Sequence, residues 1–463
     1  MTALPRLTII GLGPGDASLL TAEACEALAA AGEVWLRTAR HPTVAALPAG
    51  PRYESFDDVY ERGASFADVY DEIVRRVLEL AQRPQGVVYA VPGHPSFGEA
   101  TVRALLDRAP AAGVTLRVIA GVSFIDVLAP LLGIDPLSDG LLVLDALSLG
   151  GHRRLLVPER PTVIAQVYDR RAASQAKLAL LEAYPPEHAV RIVRGAGTSA
   201  AAVTDTTLAA LDHDDTFDHL TSLYVPPLAL VEDTRSFEGL RAIIARLRAP
   251  EGGCPWDLEQ THETLKRFLL EEAYEALDAL DEGEPHRMAE EMGDLLMQVV
   301  LHAQVAEDNG EFTIEDVFDG IAAKLVRRHP HVFGDVVVEG AGDVVRNWEA
   351  LKKDERPDAP LLDAVPKAMP ALAQAQSVLG RASKAGLAPP PPEAGAVAAA
   401  VASLAATAGA AAADAFGDLL FGIVALARAR DVDAEETLRM AVRRFREHVA
   451  AQEAARHPGA PQA

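Results

Sequence analysis

The sequence predicts an α/β domain followed by an all-α region made of two tandem copies of one helical unit, and three observations predict it. Over residues 1 to 225, short apolar runs alternate with stretches of helical period, the rhythm of an α/β fold. After Phe237 the period becomes almost wholly helical. Within that region Gly293-Asp294-Leu295-Leu296 recurs as Gly417-Asp418-Leu419-Leu420, each followed by an apolar helix and then an acidic-to-basic one.

Taken in order, strands are expected from Leu7 to Ile10, Gly86 to Val91, Leu116 to Ile119, Thr162 to Val167 and Val190 to Arg194. Tyr224-Val225, stopped by Pro226-Pro227, closes this first domain, and residues 226 to 236 form a linker. Residues 237 to 356 make the first helical copy. Thr261 is placed to cap its first acidic helix, which Gly283 and Pro285 end, and Asn309-Gly310 ends the second. Thr313 with Asp316 gives a capping-box pattern for a third helix that Pro330 stops. Residues 357 to 455 make the second copy, Pro357 to Pro370 lying between the copies and Pro389 to Pro392 interrupting its start, and residues 456 to 463 a tail. In that copy Ala415 stands where Glu291 stands, and the stretch from Ala396 to Ala413 has no counterpart of Glu272 or Glu275. It is expected to be degenerate and structural.

Two acidic clusters in the first copy carry the chemistry. At about 100° per residue, Leu265, Phe268, Leu269, Ala273, Ala276 and Leu280 form one apolar stripe, with Glu272 inside it and Glu275 at its edge. On the next helix Met288, Met292, Leu295, Leu296, Val299 and Ala303 form another, bordered by Glu291, with Asp294 further round. Glu271 and Asp278 point away, and Glu290 faces solvent. Ionised carboxylates at a packing surface are costly unless paired or metal-bound, so Glu272, Glu275, Glu291 and Asp294 imply a hard divalent cation, Mg²⁺ first. A solvated acidic face is the bland alternative, and a di-iron site another. Carboxylate bundles that hold two irons use Glu-x-x-His pairs, a spacing neither helix has. His302, near the same face, fits a packing or hydrogen-bonding role.

Composition removes several classes. A net charge of −24 and a pI near 4.9 argue against nucleic-acid binding and against an anionic membrane surface. The longest uncharged stretch, Ala396 to Ala413, is mostly alanine and too weakly apolar for a membrane span. The first strand follows almost at once upon the N-terminus, with no secretory-signal pattern, and Cys25 and Cys254 stand alone. A cytoplasmic protein is expected. An anionic substrate would then need a metal or a local basic patch, and Lys324, Arg327 and Arg328, at i, i+3 and i+4, supply one candidate. Cations also suit a helix C-terminus through its dipole, so the cluster alone decides nothing.

Gly252-Gly253-Cys254-Pro255-Trp256-Asp257, the Glu-Glu-x-x-Glu helix, the Glu-x-x-Asp helix, the run from Lys324 to Phe333 and Trp348-Glu349 together resemble the MazG family. That resemblance implies an all-α nucleoside triphosphate pyrophosphohydrolase that yields a monophosphate and pyrophosphate with Mg²⁺. It implies Glu272, Glu275, Glu291 and Asp294 as metal ligands, Glu271 or Glu272 as the group orienting water, and Lys324, Arg327 and Arg328 as phosphate grips. Trp256 and Trp348 are candidates for base stacking or for core anchors.

The first domain resembles the tetrapyrrole (corrin/porphyrin) methylases, a two-lobed α/β fold that binds S-adenosylmethionine. The motifs are Gly11-Leu12-Gly13-Pro14-Gly15-Asp16, Val91-Pro92-Gly93-His94-Pro95 and Gly121-Val122-Ser123. Glycines at strand ends let a ligand approach backbone N–H groups closely, and the resemblance implies that Gly11, Gly13, Pro14, Gly15, Asp16, Pro92, Gly93, His94, Gly121 and Ser123 bind the cofactor. The family pattern has Gly-Asp-Pro where this chain has Gly93-His94-Pro95. Fusion of the two parts in this order resembles the YabN-type bacterial proteins, for which the methyl acceptor is open. Nucleoside triphosphates are the expected partners, and the helical unit is expected to complete its bundle within the chain or as a homodimer. The alternative reading makes methyl transfer the main activity and the helices an assembly or nucleotide-sensing module.

Overall fold

The computed structural model describes residues 6–63, 65–150, 155–355, 360–404 and 409–456. Most of the expected tail, and Thr407 within the alanine-rich stretch, lie outside the described residues.

β1 (Arg6–Gly11), β2 (Glu33–Leu36), β3 (Arg52–Ser55), β4 (Val87–Val91) and β5 (Thr115–Ile119) form a sheet in the order β3-β2-β4-β1-β5, with every neighbour parallel. Such a sheet is buried on both faces, and β1 shows why its sequence is apolar at consecutive positions. Leu7 and Ile9 enter one core with Tyr89 and Ile73, and Ile10 enters the other with Leu28 and Ala90. A second sheet holds β6 (Leu142–Asp145), β7 (Thr162–Ala165), β8 (Ala189–Arg194), β9 (Ala202–Thr207) and β10 (Thr221–Val225) in the order β6-β7-β10-β8-β9. Only β6 and β7 pair in parallel there. The two lobes expected of the first domain are these two sheets.

The chain gathers into two compact units, residues 1–317 and 318–463, divided inside the helix Ile314–Arg328. In the first unit the helices Phe237–Leu247, His262–Glu282 and Pro285–Asp308 share a core of Ile244, Leu265, Val300, Leu301 and Val305. Their punctuation follows the sequence. The Thr261 side chain accepts from the Thr264 N–H, Gly283 closes the helix at φ +72°, and the Thr313 N–H donates to Asp316 Oδ2 at 2.8 Å. The second unit carries Ala341–Asp354, Ala371–Lys384, Ala394–Leu404, Ala410–Arg428 and Ala434–Arg456, all helical, with the Ala434 N–H donating to Gln376 Oε1 at 2.9 Å.

The apolar stripes are buried only in part. Leu265, Ala276 and Ala303 are buried, whereas Leu269, Leu280, Met292, Leu296 and Val299 are 37% to 45% exposed. Burial falls instead on Ala279, Gln298, Val300, Leu301, Val305 and Ala306, because the helix Phe237–Leu247 brings Ile244 onto that side of the pair. No described helix is long and apolar enough to cross a membrane.

Candidate functional site

Glu272, Glu275 and Glu291 each offer a carboxylate oxygen within 4.8 Å of the others. Helical geometry builds this set. Residues three apart share a face, so one helix supplies Glu272 and Glu275 as neighbours, and the antiparallel partner brings Glu291 opposite. Glu272 and Glu291 are half-buried, Glu275 is exposed, and the Glu291 side chain keeps 13% exposure. Glu272 holds its proton more tightly than an ordinary carboxyl, through desolvation first and then through Asp294, Glu275, Glu271 and Glu291. The fourth expected ligand, Asp294, is not among the three carboxylates that meet within 4.8 Å, although its charge contributes to the shift at Glu272. Crowded anionic oxygens of this kind fit a hard dication, which would replace mutual repulsion with coordination. Glu271 is exposed.

Sequence reading missed Arg287, whose Nε lies 3.5 Å from Glu291 Oε1 and which also pairs with Glu282. Its position four residues before Glu291 was the available signal. His302 takes the packing role expected of it: its Nδ1 lies 2.8 Å from His262 Nδ1, with the rings stacked at 6° and 5.1 Å between centroids. Burial, then the neighbouring His262, pushes His302 below the usual histidine range.

In the second unit Arg327 and Arg328 converge on one residue that the sequence did not single out, Glu355. The paired guanidiniums, Arg328 first, hold the Glu355 carboxyl at about 2. Lys324 is exposed, and no described residue pairs with it. Trp348 packs its ring 5.0 Å from His329 and under Arg328, whose Cζ is 5.3 Å away, so its face is already engaged. Trp256 is 49% exposed beside Phe268. Of Glu349 only its place in the helix Ala341–Asp354 is described.

Between the two sheets of the first domain lies a cavity of about 700 Å³. Of the expected cofactor residues, Pro14, Pro92, Gly93 and His94 line it. Gly93, at φ +67°, has open space where a Cβ would stand, which suits close approach of a cofactor. Elsewhere the glycines admit backbone. A Cβ on Gly11 would lie 2.7 Å from Gly121 N and from Gly93 O, and one on Gly15 would lie 2.6 Å from Gly197 O. The three motifs thus interlock at the carboxyl edge of the sheet, where Gly93 donates its N–H to Gly13 O at 2.7 Å. Ser123 caps a helix, accepting from the Ile125 N–H, and Asp16 is exposed.

The tetrapyrrole (corrin/porphyrin) methylases match residues 6–212, and the MazG nucleotide pyrophosphohydrolase domain matches residues 260–333. Across 452 residues the chain is 42% identical to the uncharacterized protein YabN of Bacillus subtilis, covering 95% of this chain and 91% of that one. The chain belongs to the MazG family, in its YabN-type fusion with a methylase domain. Two further MazG relatives match the helical part. The nucleoside triphosphate pyrophosphohydrolase/pyrophosphatase MazG of Thermotoga maritima is 42% identical over 214 residues, which is 45% of this chain and 82% of that one. The nucleoside triphosphate pyrophosphohydrolase of Escherichia coli is 40% identical over 223 residues, 45% of this chain and 85% of that one. Among solved structures, uroporphyrin-III-C-methyltransferase from Thermus thermophilus has a TM-score of 0.39 at 21% identity, covering 48% of this chain and 94% of that one.

Proposed function

We propose that the helical part hydrolyses nucleoside triphosphates to the monophosphate and pyrophosphate with Mg²⁺, in the cytoplasm. The observation that carries this is the clustering of Glu272, Glu275 and Glu291 within 4.8 Å. The MazG relatives from Thermotoga maritima and Escherichia coli, whose names state this activity, support it. Glu272, Glu275, Glu291 and Asp294 would hold the metal. Bound there, Mg²⁺ supplies charge neutralisation at phosphate oxygens. Glu271 or Glu272 orients the attacking water by accepting one of its protons in a hydrogen bond. Lys324, Arg327 and Arg328 stabilise charge on the departing pyrophosphate. The free thiols Cys25 and Cys254 suit a reducing compartment. Residues 237 to 356 would be the catalytic copy and 357 to 455 a degenerate one.

The test is a panel of NTPs and dNTPs incubated with Mg²⁺, products being separated by ion exchange. Monophosphate plus pyrophosphate is expected, and Glu272→Ala should lower turnover about 100-fold or more. Full turnover in that variant would remove the site assignment.

A second reading concerns the first domain, in which Gly11, Gly13, Pro14, Gly15, Asp16, Pro92, Gly93, His94, Gly121 and Ser123 would bind S-adenosylmethionine for methyl transfer to an acceptor. The open space at Gly93 on the rim of the cavity favours it. Calorimetry with S-adenosylmethionine decides: no heat at millimolar concentration removes it. In that reading's stronger form methyl transfer is the principal activity, and the helices assemble the protein or sense nucleotide.

A further inference from the structure

The turn that follows β4 carries His94 where the methylase pattern has aspartate, and its backbone is fixed on both sides. The Gly93 N–H donates to Gly13 O at 2.7 Å and the Gly13 N–H to Gly93 O at 3.2 Å. Pro95 is buried against the first glycine motif, so closely that a Cβ on Gly11 would lie 2.7 Å from Pro95 Cδ. The Phe97 N–H donates to His94 O at 3.0 Å and closes His94-Pro95-Ser96-Phe97 as a β-turn. Proline stands at its second position, where its preset φ suits the turn.

The His94 side chain is fixed as well. The Ser96 N–H donates to His94 Nδ1 at 3.1 Å. Aspartate at the first position of a turn accepts that same N–H through Oδ1, and Nδ1 of histidine, also bonded to Cγ, takes its place. A backbone N–H only donates, so Nδ1 uses its lone pair here and carries no proton. In the neutral ring the proton then belongs to Nε2. One hydrogen bond sets both the orientation of the ring and its tautomer.

His94 is half-buried and lines the inter-sheet cavity, next in sequence to Gly93 and its open space. Its Nε2 has no hydrogen-bond partner among the described residues, yet it keeps contact with solvent, so its N–H is available to a molecule in the cavity. Aspartate would offer the reverse, since its second oxygen only accepts and is negatively charged. With the turn kept, histidine exchanges an anionic acceptor for a neutral donor at one place. An ammonium group that a carboxylate would hold finds no partner in that N–H, whereas a carboxylate or carbonyl oxygen does.

We propose that His94 determines ligand specificity in this cavity by donating its Nε2–H to a carboxylate or carbonyl oxygen of the bound molecule. The proposal rests on the methylase reading of the first domain and refines it. Two sources offer such an oxygen, the amino-acid carboxylate of S-adenosylmethionine and the methyl acceptor. In both cases His94 only donates. It is not the base that takes a proton from the acceptor, because its accessible nitrogen already holds one.

The experiment compares the full chain with His94→Asp and His94→Asn, both of which keep an acceptor for the Ser96 N–H and hence the turn. Asparagine also keeps a donor, and aspartate does not. Calorimetry uses S-adenosylhomocysteine and 5′-methylthioadenosine, which lacks the amino-acid end. If the oxygen is the cofactor's, His94→Asp weakens S-adenosylhomocysteine about tenfold, the scale of one charge-assisted hydrogen bond, and leaves 5′-methylthioadenosine unchanged. His94→Asn then keeps most of the affinity. If the oxygen is the acceptor's, all three proteins bind both nucleosides alike. Acetate added to the S-adenosylhomocysteine complex then shifts the His94 Nε2 signal in nitrogen NMR of histidine-labelled chain, and methylammonium does not. A proton on His94 Nδ1 in those spectra would overturn the proposal and leave the methylase reading standing. So would tighter binding of S-adenosylhomocysteine to His94→Asp, equal losses in the two variants, or no response to either carboxylate. No heat from either nucleoside with the unaltered chain would remove the methylase reading and the proposal together.

Discussion

Glu272 shows how a single carboxylate can store instability that a metal releases. Its proton affinity is raised in the folded chain, so the metal-free protein loses stability as pH rises through that raised value and keeps it below the ordinary carboxyl range. Glu272→Gln is therefore expected to raise the melting temperature of the metal-free protein at pH 7. The same change should abolish the further rise that millimolar Mg²⁺ gives the unaltered chain, as calorimetric scans with and without chelator will show. His41 works in the opposite direction. A histidine moved from 6.5 to about 4 contributes stability that is complete above pH 6.5 and is lost as pH falls towards 4, roughly 3 kcal/mol in all. Urea titrations at pH 7 and pH 4.5 should show that loss in the unaltered chain and less of it in His41→Phe. The carboxylates were legible in sequence because helical phase alone puts Glu272 and Glu291 on facing surfaces. Arg287 was overlooked although it stands four residues before Glu291, whereas Glu355, 27 residues beyond Arg328, announces itself only through space. His41 had no motif at all: its burial comes from the loops folded around it.

At the scale of elements, local chemistry was legible wherever one residue dictates a backbone state. Thr261 caps, Gly283 takes the left-handed conformation, and Asp316 closes onto the Thr313 N–H, each as its residue type requires. Thr261→Ala should cost about 1 kcal/mol in chemical denaturation, because one N–H at the helix start loses its acceptor. Strands were legible where they carry a run of apolar residues, as β1, β4 and β8 do, and as β5 does through Leu116, Val118 and Ile119 even though it is largely exposed. Of the ten strands among the described residues, β2, β3, β6 and β9 escaped. β3 is the sequence Arg52-Tyr53-Glu54-Ser55 and β9 is exposed along most of its length. Both are edge strands, held by their neighbours' hydrogen bonds more than by an apolar signature. The helical stripes were half right for a related reason. Phase identifies which residues share a face, whereas the side that is covered depends on where Ile244 arrives from its own helix.

For the whole molecule, the row of Leu269, Leu280, Met292, Leu296 and Val299 on the acidic helices is exposed, and if the expected homodimer forms, this row is a candidate for the surface it covers. Light scattering at micromolar concentration should give twice the mass of the chain, and Leu296→Glu should halve it; a monomer before substitution removes the homodimer. The chain's charge of −24 also opposes any anion that approaches it. Against that background the embrace of Glu355 by Arg327 and Arg328 acquires a meaning of its own. These arginines already hold an anion, so under the proposed role a phosphate arriving there would take part in an exchange. One carboxylate leaves as one phosphate enters, and the number of ion pairs hardly changes. Recognition at such a place is a contest between an internal tenant and a visitor, won by the better bidentate fit, and it answers only weakly to the salt of the solution.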